Sequence, residues 1–186
     1  TASGSYSLYK NTCGNCNIAL GTFSLYKNNK NWIPPIINDE IDGFNPKINP
    51  AFDNAQADFF LAYKNNTIVG RVAAIINWTE VKQQGLKKMR FGWFDFIDDL
   101  NVSTALLNKV AEIGKTNKLD FIEGPVGFSN LDKVGVLTFG FDHIGTMVTW
   151  YNHPYYKIHF EKLNFTIEKE YLEGRFLFEN VKRAPL

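Results

Sequence analysis

The sequence is poor in the residues that build metal centres and disulfide frameworks. Its 186 residues include only two cysteines and three histidines. Cys13 and Cys16 form one CxxC pair, but no second ligand pair follows at the spacing that a structural zinc site needs. His143, His153 and His159 are widely separated and complete no ligand motif. We therefore predict no metal site and interpret the two cysteines as incidental thiols.

An excess of charge is also absent, since 20 Lys and Arg residues face 19 Asp and Glu residues. This balance gives no broad electric field for nucleic acid or anionic lipid, and the lysines are dispersed along the chain. No apolar run approaches the roughly 18–20 residues of a membrane span. Residues 1–10 lack the basic and apolar parts of a signal peptide. We expect a cytoplasmic protein without nucleic-acid or membrane partners.

Hydrophobic residues, by contrast, are plentiful at 45%, with 16 Phe, 8 Tyr and 4 Trp. A chain of this length and composition can bury a full core as one domain. We expect that domain over residues 23–178. Residues 1–22 then form an irregular N-terminal segment, and residues 179–186 form a tail or the start of a linker.

Residues rich in β-branched and aromatic side chains predict the first strands of a sheet. Residues 58–64 and 67–77 are expected to form a hairpin around the Asn65-Asn66 turn. The preceding residues 31–57 contain four prolines and are expected to form a loop with at most one short helix. Residues 82–88 form a charged connection, and residues 165–178 are expected to end the domain as a strand.

Residues 89–97 are predicted to form a central strand that is covered on both faces, because apolar side chains alternate on both. Simple alternation places Met89, Phe91, Trp93, Asp95 and Ile97 on one face. The other face then carries Arg90, Gly92, Phe94 and Phe96.

The strongest helix pattern follows this strand, with apolar residues at helical spacing from Val102 to Ile113 and Asn101 or Ser103 as the N-cap. A strand over residues 119–123 then completes a right-handed βαβ unit, which makes the two strands parallel. A second helix is expected between Pro154 and Asn164. The predicted fold class is α/β (α+β): a mixed, mostly antiparallel sheet with one parallel βαβ pair, flanked by helices.

Three charged residues on the predicted strands are candidates for chemistry. Arg71 shares its strand face with apolar residues, so its guanidinium should find a carboxylate or a bound anion. Asp95 is a single carboxylate in an apolar strand, and Glu123 ends the second parallel strand, where ligands bind in α/β sheets. A carboxylate in such a cleft can act as a general base. The alternative is a structural ion pair of Arg71 with one of these acids inside the sheet.

Other polar and aromatic residues have a structural and a functional interpretation. Asp98 and Asp99 precede the first helix and fit capping and the helix dipole better than a metal site. Tyr151, Tyr155 and Tyr156 fit either the core or a pocket, where a phenol can donate a proton. The sequence contains no Walker A loop, dinucleotide fingerprint, G-x-S-x-G or HExxH motif.

The order of strands and helices resembles the GNAT superfamily of acyl-CoA N-acyltransferases. The resemblance is carried by residues 60–77, by the strand–helix pair from 89 to 117, and by the HFEKLNF segment at residues 159–165. Several further segments between residues 32 and 147 are similar to a GNAT-like group from Bacteroidetes-type bacteria. Related chains look longer, so this chain is expected to be the N-terminal half of a larger protein with a C-terminal partner domain.

The resemblance implies acyl transfer from acetyl-CoA or another acyl-CoA to an amine, without a metal. It points to Asp95 or Glu123 as the base. Beside it, Arg71 stays a candidate for binding substrate or an anion, and Tyr156 a candidate proton donor. The pantetheine of CoA would pair with the strand that contains Phe96, and its pyrophosphate would sit at the start of the next helix. The implied cofactor residues are Phe96, Ile97, Asp98, Leu100, Asn101, Val102 and Ser103.

The sequence departs from the superfamily pattern at two positions of the implied site. Residues 97–103 lack the glycines that bring the backbone close to a pyrophosphate, and they contain Asp98 and Asp99. The frequent general-acid tyrosine is replaced by Phe160, so Tyr155 or Tyr156 would have to supply the phenol. The first hypothesis is an N-acyltransferase that acts on an unknown small-molecule amine. The alternative is a degenerate GNAT-like domain that binds a ligand or partner without catalysis.

Overall fold

The computed structural model describes residues 31–33, 35–146, 149–174 and 177. The expectations for residues 1–22, for Cys13 and Cys16, and for residues 179–186 lie outside the described residues. Within them, a four-stranded mixed sheet carries helices on its faces. This arrangement confirms the predicted fold class and is consistent with a GNAT-like fold.

The sheet has the strand order β1–β2–β3–β4. Its strands are β1 (Ala55–Lys64), β2 (Thr67–Asn77), β3 (Lys88–Phe96) and β4 (Phe121–Glu123). The first three are antiparallel neighbours, and β3 and β4 are parallel, as predicted. At the β1–β2 turn, Asn65 and Asn66 have φ angles of 51° and 61°. Two left-handed residues match the twist of a tight hairpin, and Asn tolerates that conformation.

Four helices and one 3₁₀ turn accompany the described strands. They are α1 (Ile37–Gly43), the 3₁₀ turn (Pro50–Asp53), α2 (Trp78–Gln83), α3 (Leu100–Thr116) and α4 (Tyr155–Lys162). The helices α3 and α4 confirm the two main helix predictions, and Asn164 ends the second with φ 58°. The helix α2 was not predicted. Its first turn is stabilised by the side chain of Asn77, which accepts hydrogen bonds from two main-chain amides.

The predicted N-caps of α3, Asn101 and Ser103, are wrong. The N-cap is Asp99, whose carboxylate accepts a hydrogen bond from the Asn101 amide at 3.0 Å. Asn101 and Ser103 therefore lie inside the first turn. This outcome agrees with the interpretation of Asp99 as a capping residue.

The predicted final strand over 165–178 is also wrong for the residues that are described, since 165–174 contain no strand. A strand needs a partner edge for its main-chain groups, and this segment pairs with none of the described strands. Its apolar side chains Ile167 and Leu172 are largely exposed, whereas Phe165 packs against Phe91 and Phe160. The sequence pattern showed only that the segment can be extended.

The alternation predicted for residues 89–97 breaks at a β-bulge. Along β2, Arg71 pairs with Asp95 but Ala73 pairs with Gly92, so β3 contains one extra residue between these points. Trp93 takes up this residue with a φ of 44°. Beyond the bulge every side chain changes face, because the side-chain period of a strand is two. Asp95 therefore points away from the helix face that carries Met89 and Phe91.

Each face of the sheet has its own cover. The helices α3 and α4 cover one face, where Val72, Ala74, Ile76, Met89, Phe91, Phe94 and Phe96 form the main core. On the opposite face, the ring of Trp93 packs against both Phe44 and Phe128. Arg71 and Asp95 lie on this second face, and both are buried. The central strand β3 is thus covered on both sides, as predicted.

Candidate functional site

A cleft opens where β3 and β4 separate. The two strands pair only from Lys88 to Arg90, although β3 continues to Phe96. The chain then leaves β4 along the residues that follow Glu123, and Val126 donates a main-chain hydrogen bond to the Phe91 carbonyl at 2.8 Å. The resulting cleft is lined by Phe94, Asp95, Pro125, Gly135, Val136, Trp150, Tyr151, Asn152 and Tyr156. Two predicted catalytic residues, Asp95 and Tyr156, are therefore brought together here.

Asp95 is held by a buried ion pair with Arg71. Arg71 Nε donates to Asp95 Oδ2 at 2.6 Å, and both side chains are only 2% exposed. Arg71 also donates from Nη1 to Glu40 Oε1, on α1, at 3.2 Å. Burial alone would lower the pKa of Arg71, but the carboxylates of Asp95 and Glu40 outweigh it and raise the pKa above its usual value.

Two tyrosines of α4 occupy the open edge of β3. Tyr155 Oη donates to the Phe96 carbonyl at 2.5 Å, and the Phe96 amide donates to Tyr156 Oη at 3.3 Å. Tyr156 Oη also lies 3.5 Å from Asp95 Oδ1. Burial, reinforced by Asp98 and then Asp95, raises the pKa of Tyr155 well above its usual value. Tyr155 thus remains a neutral donor, and both main-chain groups of Phe96 have partners within the protein.

The first turn of α3, where the resemblance placed a pyrophosphate, is already satisfied by Asp99. Its carboxylate accepts from the Asn101 amide, and its carbonyl accepts from the amides of Val102 and Ser103. The Leu100 carbonyl in turn accepts from the Ser103 hydroxyl. The side chain of Asp99 pairs with Lys64 Nζ at 3.0 Å. Hydrogen bonds from Lys64 and the Asn101 amide lower the pKa of Asp99, so this helix start carries a negative charge.

His159 connects α4 to the same helix start. Its Nδ1 lies 2.8 Å from Ser103 Oγ, and its Nε2 lies 3.0 Å from Asp98 Oδ1. Ser103 and His159 are buried, and the Ser103 hydroxyl is hydrogen-bonded to both His159 and the Leu100 carbonyl. Ile97, the remaining predicted cofactor residue, bonds through its amide to the Val69 carbonyl at 3.0 Å. Residues 97–103 therefore form a bonded junction between α3, α4 and the sheet.

Glu123 lies apart from Asp95. It pairs with Arg90, five residues before Asp95 on β3, which corresponds to roughly 16 Å at the usual strand rise. Its carboxylate contacts Lys88 Nζ at 2.7 Å. The structure thus brings Asp95, Tyr156 and Arg71 together and leaves Glu123 at the other end of β3.

Glu123 belongs to a second charged network. At its centre, Arg90 Nε and Nη2 donate to the two carboxylate oxygens of Glu80 at 2.8 and 2.5 Å. Burial alone would raise the pKa of Glu80, but hydrogen bonds from Arg90 and Lys88 outweigh it and lower the pKa. This network resembles the Arg71–Asp95 pair in its chemistry but does not line the cleft.

Two residues near the cleft were missed from the sequence: Glu40 and Lys133. Glu40 lies on the short helix α1, and Lys133 lies in the irregular segment after β4. Both line a second cleft with Arg71, next to Trp150 and Tyr151. Neither segment has an apolar period, so only their charge types were available as signals.

Among the described residues, no group of three or more His, Cys, Asp or Glu side chains could hold a metal ion. None of the described helices is both long enough and apolar enough to span a bilayer.

Comparison with known proteins gave two relatives. The chain is 31% identical over 142 residues to Protein YghO of Escherichia coli (strain K12), covering 76% of this chain and 36% of that protein. It is 33% identical over 113 residues to a protein named Bacterial ceramide synthase from Caulobacter vibrioides, covering 60% of this chain and 29% of that protein. The matched region thus spans about a third of each relative's length. No family model and no solved structure matches the chain.

Proposed function

We propose that this chain carries the acyl-transfer site of a GNAT-like N-acyltransferase, which moves an acyl group from acyl-CoA to an amine. The observation that carries the proposal is the cleft between the separating β3 and β4, into which the β-bulge at Trp93 directs Asp95 beside Tyr156. Bulges are common next to active sites, where they redirect a side chain. A relative named for ceramide synthesis supports the same reaction class, because a ceramide is an amide of a fatty acid.

In this proposal, Asp95 provides the negative charge that attracts the substrate's ammonium group. Arg71 fixes the Asp95 carboxylate from the side of the sheet, so the charge is in place before a substrate arrives. Tyr156 provides a hydroxyl at the same cleft, one helical turn before the Phe160 that replaces the usual tyrosine. Its position suits proton donation to a leaving thiolate.

The residues at the start of α3 do not fit the pyrophosphate of CoA in this arrangement. Asp99 already accepts from the amides that would bind it, and its charge opposes a second anion. The Phe96 main-chain groups are likewise taken by Tyr155 and Tyr156. We therefore assign to the cleft only the thioester end of the donor.

The amine substrate that we propose is a long-chain amino alcohol, the amine component of a ceramide. This substrate class rests on the name of the Caulobacter relative. The wall of the cleft includes the apolar side chains of Phe94, Pro125 and Val136.

The test is an acylation assay with the purified protein. The donors are acyl-CoA thioesters with acyl chains of about two to sixteen carbons, a range that tests the preferred chain length. They are combined with a panel of amines that includes a long-chain amino alcohol. Free thiol is measured, and the amide is identified by mass spectrometry. We expect amide formation that Asp95→Asn abolishes. Glu80→Gln is the matched control, because it alters a similar buried ion pair outside the cleft. Thiol release without amide, or equal rates in Asp95→Asn, would contradict the proposal.

The second candidate is a domain that binds a ligand or partner without catalysis. It is favoured by Phe160, which packs against Phe91 and Phe94 and has no proton to donate. It is also favoured by the closed helix start at Asp99. Saturable binding of the amine, with no acyl-CoA consumed under any condition, would support this candidate over the transferase.

A further inference from the structure

The helix α4 depends on contacts with the rest of the protein for its position. It has only 8 residues, and its N-cap residue, Pro154, makes no capping hydrogen bond. Helices this short are marginal in isolation. The buried residues of α4 are Tyr156 and His159, which share one face because they are three positions apart. A contact that fixes His159 therefore also fixes the tyrosine that lines the cleft.

His159 contacts two other segments through its opposite ring nitrogens. Nδ1 lies 2.8 Å from Ser103 Oγ on α3, and Nε2 lies 3.0 Å from Asp98 Oδ1 in the connection between β3 and α3. Ser103 is fully buried, and the His159 side chain is 6% exposed. The imidazole is thus a bridge from α4 to the first turn of α3 and to the end of β3.

The contacts of this bridge cannot all be hydrogen bonds when the imidazole is neutral. The Ser103 hydroxyl has one hydrogen, which it donates to the Leu100 carbonyl at 3.1 Å. His159 Nδ1 must then donate to Ser103 Oγ, and Nε2 must donate to the Asp98 carboxylate. Both nitrogens donate only in the imidazolium. In the neutral ring one nitrogen accepts, so the Ser103 hydrogen turns to Nδ1 and its bond to the Leu100 carbonyl is lost.

We propose that His159 is a positioning residue that holds Tyr155 and Tyr156 at the cleft through this bridge, which loses one hydrogen bond when the imidazolium loses its proton. The proton passes to water, and no covalent bond between heavy atoms changes. As pH rises through the titration of His159, α4 is held less firmly and the hydrogen bonds from its tyrosines to Phe96 open more often. The consequence for catalysis rests on the proposed function, whereas the bridge itself does not.

The groups around His159 are consistent with a proton-dependent bridge. Among the described side chains, those in contact with its ring are Asp98, Ser103, Phe96 and Tyr155. Asp98 is the ionised member of this set, and its carboxylate stabilises a positive charge on the ring. Burial, reinforced by Asp98, raises the pKa of Tyr155, so this phenol stays neutral while a histidine titrates. Asp99 and Lys64, at the same helix start, pair with each other.

The first test follows two neighbouring main-chain amides in the wild-type protein. The Phe96 amide donates to Tyr156 Oη at 3.3 Å, whereas the Ile97 amide donates to the Val69 carbonyl at 3.0 Å. Amide hydrogen exchange is measured by NMR from about pH 5 to pH 8.5, a range that spans the charge change of a histidine. Each rate is converted to a protection factor, which removes the intrinsic effect of pH on exchange.

We expect the protection factor of the Phe96 amide to fall about fivefold across this range, the factor that corresponds to one hydrogen bond. The protection factor of the Ile97 amide should stay constant. A constant value for Phe96 would overturn the proposal. An equal fall at both amides would also overturn it, because that result describes a general loss of stability rather than a displaced tyrosine.

The second test repeats the exchange measurement on variants. His159→Gln offers one acceptor and one donor but takes up no proton, so its Phe96 protection should not change with pH. His159→Leu removes both contacts and should lower that protection at least about fivefold below the Gln variant. His143 contacts Asp142 at 2.9 Å on the surface, so His143→Gln is the matched control and should keep the wild-type pH dependence. A pH-dependent value in His159→Gln, or wild-type protection in His159→Leu, would contradict the bridge.

Turnover separates this inference from the proposed function. In the acylation assay, kcat of His159→Leu should fall at least about fivefold with a small change in KM, because Tyr156 is displaced while the rest of the cleft remains. His143→Gln should match the wild type. A wild-type kcat in His159→Leu would overturn the positioning role and leave the transferase intact. Absence of turnover in the wild type would count against the function, and the exchange measurements would still decide whether the bridge exists.

Discussion

Replacement of Asp95 by Asn tests both the fold and the proposed site. The carboxylate lies 2.6 Å from Arg71 Nε, and both side chains are 2% exposed. Asparagine preserves the shape but removes the charge, whereas the carboxylate of Glu40 remains at the longer distance of 3.2 Å. The variant thus removes one of the two carboxylates that pair with this buried guanidinium among the described residues.

The expected loss of stability follows from this geometry. Removing one partner of a buried ion pair typically costs about 3–5 kcal/mol. Glu40 still neutralises Arg71 and the amide oxygen can accept one hydrogen bond, so we expect the lower end, about 3 kcal/mol. For a domain of this size, each kcal/mol changes Tm by about 2–4 °C, which gives a decrease of about 6–12 °C.

The assay combines thermal unfolding with amide formation by the same protein samples. Glu80→Gln removes the carboxylate that binds Arg90 and should lower Tm by a similar amount. Only Asp95→Asn should abolish turnover, because only Asp95 lines the cleft. A change in Tm below about 2 °C in Asp95→Asn would refute the importance of the pair for stability. Equal turnover in the two variants would refute the role of Asp95 in the site.

Three further predictions concern the bulge, the strand edge and acid stability. Gly92→Ala should lower the free energy of unfolding by about 1–3 kcal/mol in urea titrations, because a Cβ there would lie 2.5 Å from the Val126 carbonyl oxygen. Tyr155→Phe should cost about 1 kcal/mol and should lower the concentration of a pantetheine thioester needed to raise Tm, because the Phe96 carbonyl is freed. An unchanged titration would contradict competition by the phenol. The pKa of Glu80 is lowered from 4.5, so its contribution to stability is complete above about pH 4.5 and is lost as pH falls through the lowered value. Unfolding measured from pH 7 to pH 3 should therefore show a smaller acid loss in Glu80→Gln.

The local parts of the fold were predictable from the sequence. The hairpin depends on Asn65 and Asn66 at its turn, and α3 depends on apolar residues at helical spacing, so both are determined by neighbours in the chain. The parallel pairing of β3 and β4 followed because a helix connects them. Such local rules could not decide whether residues 165–178 form a strand, since strand pairing depends on a sheet edge that is distant in the sequence.

The candidate site was predictable only in part. Arg71 and Asp95 are recognisable as charges within apolar strands, and an ion pair inside the sheet was one of the two interpretations because buried charge requires a partner. Glu40 and Lys133 line the second cleft and were missed. Glu40 lies on a short helix within a proline-rich segment and Lys133 on an irregular segment, so the sequence pattern did not assign a direction to either side chain. The placement of Glu123 away from Asp95 depends on the register between β3 and β4, which the sequence does not determine.

The bulge explains why the sequence pattern of β3 and the position of its carboxylate disagree. Uniform alternation would place Asp95 on the helix face with Met89 and Phe91, where the described side chains form the apolar core. One extra residue at Trp93 turns Asp95 to the Arg71 face and turns Phe94 and Phe96 into the core. The same irregularity occurs where β3 continues without β4, so the cleft and its carboxylate arise together. A tryptophan at φ 44° costs about 1–3 kcal/mol. In this fold, that strain is offset by an ion pair and two core aromatic residues that a regular strand would misplace.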